Sequence, residues 1–209
     1  MTVIDLSVFC PCSVRELQPE GGKTGQPNGS ANTAFIAGCM CVIVLIETGL
    51  RSKKEALPLK WENVDMHSSP ARILVRKSKT VAGERCVWLT EFCRQELQSW
   101  RGFVGPEYSQ YVFPSPRNRQ AYWTGYQKPW KEAVKAARLE DRRVYDLRST
   151  FATRANAARA TELTLAHLLG HSSTAILPTY AKALDENMRA VITRLDSQRA
   201  ELSQPSVVH

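Results

Sequence analysis

Long apolar runs are nearly missing from this 209-residue chain. The longest, Ala34 to Ile46, holds thirteen residues, too few to span a bilayer, and no basic start with a cleavage site stands ahead of it. Neither a membrane-spanning helix nor an export leader is expected, and the cytosol is the expected location. The six cysteines, Cys10, Cys12, Cys39, Cys41, Cys86 and Cys93, lack both the paired C-x-x-C spacing of a zinc knuckle and the regular spacing of a disulfide framework. They are expected to be reduced thiols, mostly packing. Histidine is scarce, and of the four in the chain His67, His167 and His209 fit no ligand geometry and read as surface or packing residues.

What is present is ordinary globular material, 43% hydrophobic and 23% charged, enough for one domain with a full core. The charge is uneven. Residues 1–50 hold two basic and four acidic side chains, so residues 51–209 carry +10 against +8 for the whole chain. A surface of that sign concentrates polyanions and binds them in a salt-dependent way, which makes nucleic acid the leading partner.

Residues 1–32 show no sustained periodicity, and the stretch PEGGKTGQPNGSAN from Pro19 to Asn32 reads as linker. From Thr33 the apolar run suits a buried helix ending at Gly49, although Val42, Val44 and Ile46 argue partly for strand. A second helix is expected over Lys53–Leu59. Arg72–Arg76 and Arg85–Leu89 flank a turn containing Gly83 and read as a β-hairpin. Further helices are expected over Glu91–Trp100, about Thr124–Leu139, Asp146–Ala158, Glu162–Leu169, Ser173–Tyr180 and Ala183–Glu201, with Gly102–Arg119 as loop. In the last helix Leu184, Met188, Val191 and Leu195 form an apolar stripe. The fold class is therefore mainly α with a small antiparallel β-sheet (α+β).

Two segments carry chemistry: YDLRSTF from Tyr145 to Phe151 and HLLGHSSTAILPTY from His167 to Tyr180. They place an arginine, an imidazole and a phenol in one helical region. Breaking a phosphodiester with a side-chain nucleophile demands fixed cations for the extra negative charge on the non-bridging oxygens. Arginine serves because its planar fork donates twice and stays charged. Arg148 lies three residues after Tyr145, so both are expected on one face of a helix capped by Asp146. His171 follows a helix ending at Gly170, and Tyr180 comes nine residues later, after Pro178 and Thr179, where a turn can present the phenol.

These residues resemble the tyrosine recombinase (phage integrase) family, whose catalytic domain is similar to that of type IB topoisomerases. Four separated stretches carry the resemblance over about residues 33–190. Thr48-Gly49-Leu50-Arg51, leading to Glu55, matches the first arginine element, and Lys77-Ser78-Lys79-Thr80 matches the lysine on a hairpin turn. Tyr145-Asp146-Leu147-Arg148 matches the H-x-L-R box, and Leu168-Leu169-Gly170-His171 with Tyr180 matches the L-L-G-H box and its tyrosine.

The resemblance implies the DNA breaking-rejoining fold over residues 33–203, with residues 204–209 as a tail. It implies that Tyr180 attacks the scissile phosphate to form a 3′-phosphotyrosyl link, that Arg51 and Arg148 clamp the non-bridging oxygens, and that His171 donates there. It further implies Lys79, with Lys77 as rival, as the acid for the departing 5′ oxygen. No metal or nucleotide cofactor is implied. The implied partner is double-stranded DNA, on which a homotetramer assembles over paired sites through the C-terminal helix.

Three departures from the family pattern stand out. Tyr145 replaces the usual histidine and is a poor base near pH 7, with an ordinary pKa of about 10. Glu55 lies one position farther from Arg51 than the common spacing. Residues 1–32 do not supply the helical DNA-clamping domain that precedes the family's catalytic domain, so a partial integrase is expected. Two other readings therefore stand beside the recombinase: a remnant that binds DNA without cutting it, and a relaxing topoisomerase of the same chemistry. Tyr122, Trp123 and Tyr126, near Arg117 and Arg119, are candidates either for stacking on DNA or for packing.

Overall fold

The computed structural model describes residues 31–76, 84–136, 138–139, 142–170 and 181–202. Helix α1, Ala31–Thr48, is buried along almost its whole length from Ile36 onward, which is why it carries apolar side chains on every face. Its β-branched residues do not turn it into a strand, because enclosure by neighbours on all sides outweighs their weak preference. Helices α2 (Glu91–Val104), α3 (Gln127–Ala136) and α4 (Val144–Ala157) pack around it. Thr90 starts α2 by accepting the backbone N–H of Cys93 at 3.2 Å.

Strand β1 (Val64–Asp65) joins β2 (Arg72–Val75) and β3 (Arg85–Trp88) in an antiparallel sheet of order β1-β2-β3. The expected hairpin is present, with Val75 opposite Arg85 as the last described pair before the turn. Ile73 and Val87 face inward against α1 and α2, in a core that also takes Leu97, Trp100 and Leu147. A second core lies under helix α6 (Ala181–Leu202), where Met188, Val191, Ile192 and Leu195 meet Trp88, Phe151 and Leu168. Phe151 belongs to α4 and Leu168 to helix α5 (Glu162–Leu169). Each such side chain, removed from water, contributes about 1.5–3 kcal/mol.

Several expectations are corrected. The helix expected over Lys53–Leu59 is a single π turn, Ser52–Ala56, followed by a 3-10 turn at Trp61–Asn63. The loop expected over Gly102–Arg119 contains the last turn of α2 and a short hairpin of β4 (Pro114–Ser115) with β5 (Asn118–Tyr122). Asp146 is not the first cap of α4; Arg143 holds that position, and the Asp146 carboxylate accepts its backbone N–H at 2.8 Å. Trp123 and Tyr126 are core residues, whereas Tyr122 is exposed. The four described cysteines, Cys39, Cys41, Cys86 and Cys93, are free thiols, and all but Cys86 are buried. No helix among the described residues is long and apolar enough to cross a membrane.

Candidate active site

Two glycine turns build the site. Gly49 ends α1 at φ +63 and Gly170 ends α5 at φ +65, in the left-handed region where a Cβ is strained. A Cβ on Gly49 would also collide with Phe151, and one on Gly170 would lie 2.5 Å from Arg85 Nη1. The two turns thus sit close against their neighbours, and a single side chain joins them. Arg148, on α4, donates through Nη1 to the carbonyl of Gly49 and through Nη2 to that of Leu169.

Arg51 follows the first turn directly. Its Nη1 donates to Glu55 Oε1 at 2.7 Å, its Nη2 to the Gly170 carbonyl at 2.9 Å, and its backbone N–H to Glu55 Oε2 at 2.8 Å. That last bond curls the chain back on itself and explains the π turn, in which Ala56 and Leu57 donate five positions back to Arg51 and Ser52. The extra residue between Arg51 and Glu55 is absorbed in this way, and the carboxylate still reaches the guanidinium.

A third arginine completes the cluster. Arg85 on β3 has a side chain 0% exposed; it donates to both Glu55 oxygens at 3.0 Å and through Nε to the Leu168 carbonyl at 3.1 Å. Sequence reasoning passed over it as an ordinary strand residue. One signal was available: Arg85 shares the inward face of β3 with Val87, so it had to be buried with a partner.

The carbonyls of Leu168, Leu169 and Gly170 thus each receive one guanidinium, at the end of α5 where unpaired carbonyls and the helix dipole leave negative charge. Among the described residues, three arginines gather there around one carboxylate, Glu55. Burial raises the Glu55 carboxyl pKa, but Arg85 and then Arg51 outweigh it and hold the group below the usual carboxylate range. The Arg148 guanidinium is pulled below its usual range by burial first and by the charge of Arg51 next. Closely set cations that repel one another, two of them buried, form a site that an anion stabilises.

The structure brings together Arg51, Glu55 and Arg148. Tyr145 stands in the first turn of α4 and is 61% exposed, while Arg148, one turn later, is 4% exposed. Tyr145 therefore lies at the solvent side of the site and Arg148 at its floor. Lys77, Lys79, His171 and Tyr180 lie outside the described residues, as does the helix expected over Ser173–Tyr180. Described chain nevertheless reaches the edge of each: β2 ends two residues before Lys77, and Gly170 precedes His171.

The phage integrase family matches residues 28–187. Among curated proteins none matches. The fold is similar to that of XerH site-specific recombinase bound to difH substrate in a pre-cleavage complex, with a TM-score of 0.57, 20% identity, and coverage of 95% of this chain and 51% of that one. It is similar also to XerA recombinase, with TM-score 0.56, 19% identity, and coverage of 90% and 68%. The Tn1549 transposon integrase in complex with circular intermediate DNA gives 0.52, 19%, 74% and 60%. This chain spans about half the length of the XerH chain. With residues 28–187 matching the family and the fold agreeing with that of its solved recombinases, the chain belongs to the phage integrase family.

Proposed function

We propose that this protein is a site-specific DNA recombinase that cuts and rejoins strands through a 3′-phosphotyrosyl intermediate. The observation that carries the proposal is the convergence of Arg51, Arg85 and Arg148 on the end of α5, with Glu55 the only carboxylate among them in the described residues. In this reading Arg51 and Arg148 grip the non-bridging oxygens of the scissile phosphate. Each spends two guanidinium N–H groups on the protein, and a guanidinium has five. The remaining donors are available to the phosphate as its charge grows in the transition state.

Tyr180 is the nucleophile, and its attack expels the 5′ oxygen, to which Lys79 delivers a proton, with Lys77 as the alternative donor. His171, next to Gly170, donates to the same phosphate. Tyr145 offers a phenolic hydrogen bond from the solvent side rather than base catalysis, in keeping with its exposure. Attack of a free 5′-hydroxyl on the phosphotyrosine reverses the step and joins new partners.

Double-stranded DNA is the substrate, and residues 33–203 form the catalytic unit, acting in the cytosol. We further propose assembly as a tetramer on paired DNA sites through α6. Met188, Val191 and Leu195 of the α6 stripe are covered by their own chain, in one core with Trp88, Phe151 and Leu168, so that assembly requires this face to be released or another face of α6 to be used.

The test is incubation with a nicked duplex that loses its 5′-hydroxyl strand on cleavage. A covalent protein–DNA adduct that disappears in Tyr180→Phe supports the proposal. Salt-sensitive binding with no adduct supports a protein that only holds DNA, and relaxation of any supercoiled plasmid supports a topoisomerase.

A further inference from the structure

Beyond the residues assigned to the reaction, we infer that Arg85 is a positioning residue: it sets Glu55, and through Glu55 the grip of Arg51 on phosphate, and it moors the start of β3 to the same carboxylate. This rests on the strand-transfer reading above.

The geometry separates Arg85 from its two neighbours. All three of its guanidinium nitrogens bond within the protein, to Glu55 Oε1, Glu55 Oε2 and the Leu168 carbonyl, and its side chain is 0% exposed. It has no surface to offer a substrate, whereas Arg51 keeps a side chain 36% exposed. Arg85 acts instead on Glu55. Among the described residues that carboxylate accepts four bonds: Oε1 from Arg51 Nη1 and Arg85 Nη1, and Oε2 from the Arg51 backbone and Arg85 Nη2. A carboxylate held on both oxygens by a planar fork cannot rotate. Arg51 is thereby presented at one angle.

Two further contacts tie Arg85 to the other parts of the site. It pairs across the sheet with Val75, so the ends of β2 and β3 are fixed to the same carboxylate as Arg51. It also lies where a Cβ on residue 170 would be, 2.5 Å from Nη1, so the glycine before His171 makes room for this guanidinium as well as for its own positive φ. Lysine in its place would keep the charge and lose the fork.

The experiment compares the unsubstituted protein with Arg85→Met, Arg85→Lys and Glu55→Gln. Three quantities are read: single-turnover adduct formation on the nicked duplex, DNA affinity, and affinity for inorganic phosphate in the absence of DNA. Urea melts give the folded fraction of each variant. Arg85→Met should slow adduct formation by roughly tenfold to a hundredfold, the scale set by misplacing a phosphate-holding group. DNA affinity should stay within about threefold, because Arg85 touches no DNA, and phosphate should bind several-fold more weakly because Arg51 is no longer held. Arg85→Lys should recover part of the rate.

A pH signature distinguishes positioning from mere folding. With Arg85 gone, Glu55 loses the bonds that lower its pKa most while burial still raises it, so the acid limb of the rate should lie at higher pH in Arg85→Met than in the unsubstituted protein. Glu55→Gln combined with Arg85→Met should remove that limb.

An Arg85→Met rate equal to the unsubstituted rate, or reduced only in proportion to the folded fraction, overturns the inference. If the unsubstituted protein makes no adduct, the strand-transfer reading falls. The phosphate arm then decides alone: unchanged phosphate affinity in Arg85→Met overturns the inference, and a several-fold loss supports it.

Discussion

The Arg51 guanidinium donates to the carbonyl of Gly170, 119 positions farther along the chain, at 2.9 Å. With Arg148 on Leu169 and Arg85 on Leu168, it closes the end of α5. The three arginines are therefore held in place by the backbone that leads to His171. Under the proposed strand-transfer reading, such a site is organised before substrate arrives, which is the condition under which fixed donors lower a barrier most.

Arg51 and Arg148 should differ in what their loss costs. Arg51→Ala should slow adduct formation about a hundredfold or more, roughly 3 kcal/mol of barrier, with little loss of stability because the side chain is partly exposed. Arg148→Ala should lose at least as much rate and also destabilise the fold by about 2–3 kcal/mol, since two buried carbonyls are left without their donor. Single-turnover kinetics beside urea melts separate the two; equal melting of both variants would contradict the difference.

Gly49→Ala and Gly170→Ala should each cost roughly 2 kcal/mol or more, from positive φ together with overlap onto Phe151 and Arg85 respectively. The two then part company. Gly170→Ala displaces Arg85 and should reduce phosphate affinity, whereas Gly49→Ala strikes the second core. Melts with a phosphate titration would show whether this split exists.

Glu55 makes the acid limb of stability predictable in sign. Its folded pKa lies below the ordinary value of 4.5, so its contribution is fully present above that pH and is lost as pH falls through the folded value. Glu55→Gln should therefore flatten the decline of stability below about pH 4.5 while lowering stability at neutral pH. Unfolding free energy measured across pH 3 to pH 7 tests this, and an unchanged acid slope in the variant would count against it.

Thiol chemistry should follow burial. Burial pushes the Cys41 thiol up to about 12 and raises Cys93 well above its usual range, so neither presents a thiolate near neutral pH. Of the four described cysteines, half-buried Cys86 should be alkylated first in the folded protein. Mass spectrometry of briefly treated protein reads the order, and early labelling of Cys41 would contradict the packing described.

Much of the fold was legible in the sequence, for identifiable reasons. Glu162–Leu169 was read with its exact ends because Thr161 and Gly170 bound it chemically. The hairpin was read because RILV and RCVW carry β-branched and aromatic residues. By contrast β5, Asn118–Tyr122, is mostly exposed and has no β-branched residue, so nothing local announces it. The π turn was hidden because its cause is one hydrogen bond from the Arg51 backbone to Glu55, which spacing alone does not show. Arg51, Glu55 and Arg148 were legible as motif positions. Arg85 was not, because its role exists only once β3 and the end of α5 are packed together.

The most direct test of the central claim is to digest the protein–DNA adduct and map the attachment by mass spectrometry. The expected result is a single modified peptide containing Tyr180, esterified to the 3′-phosphate at the cleaved strand's end, and a free 5′-hydroxyl on the other fragment. Attachment at another residue, linkage to a 5′-phosphate, or an adduct that forms undiminished in Arg51→Ala and Arg148→Ala would contradict it.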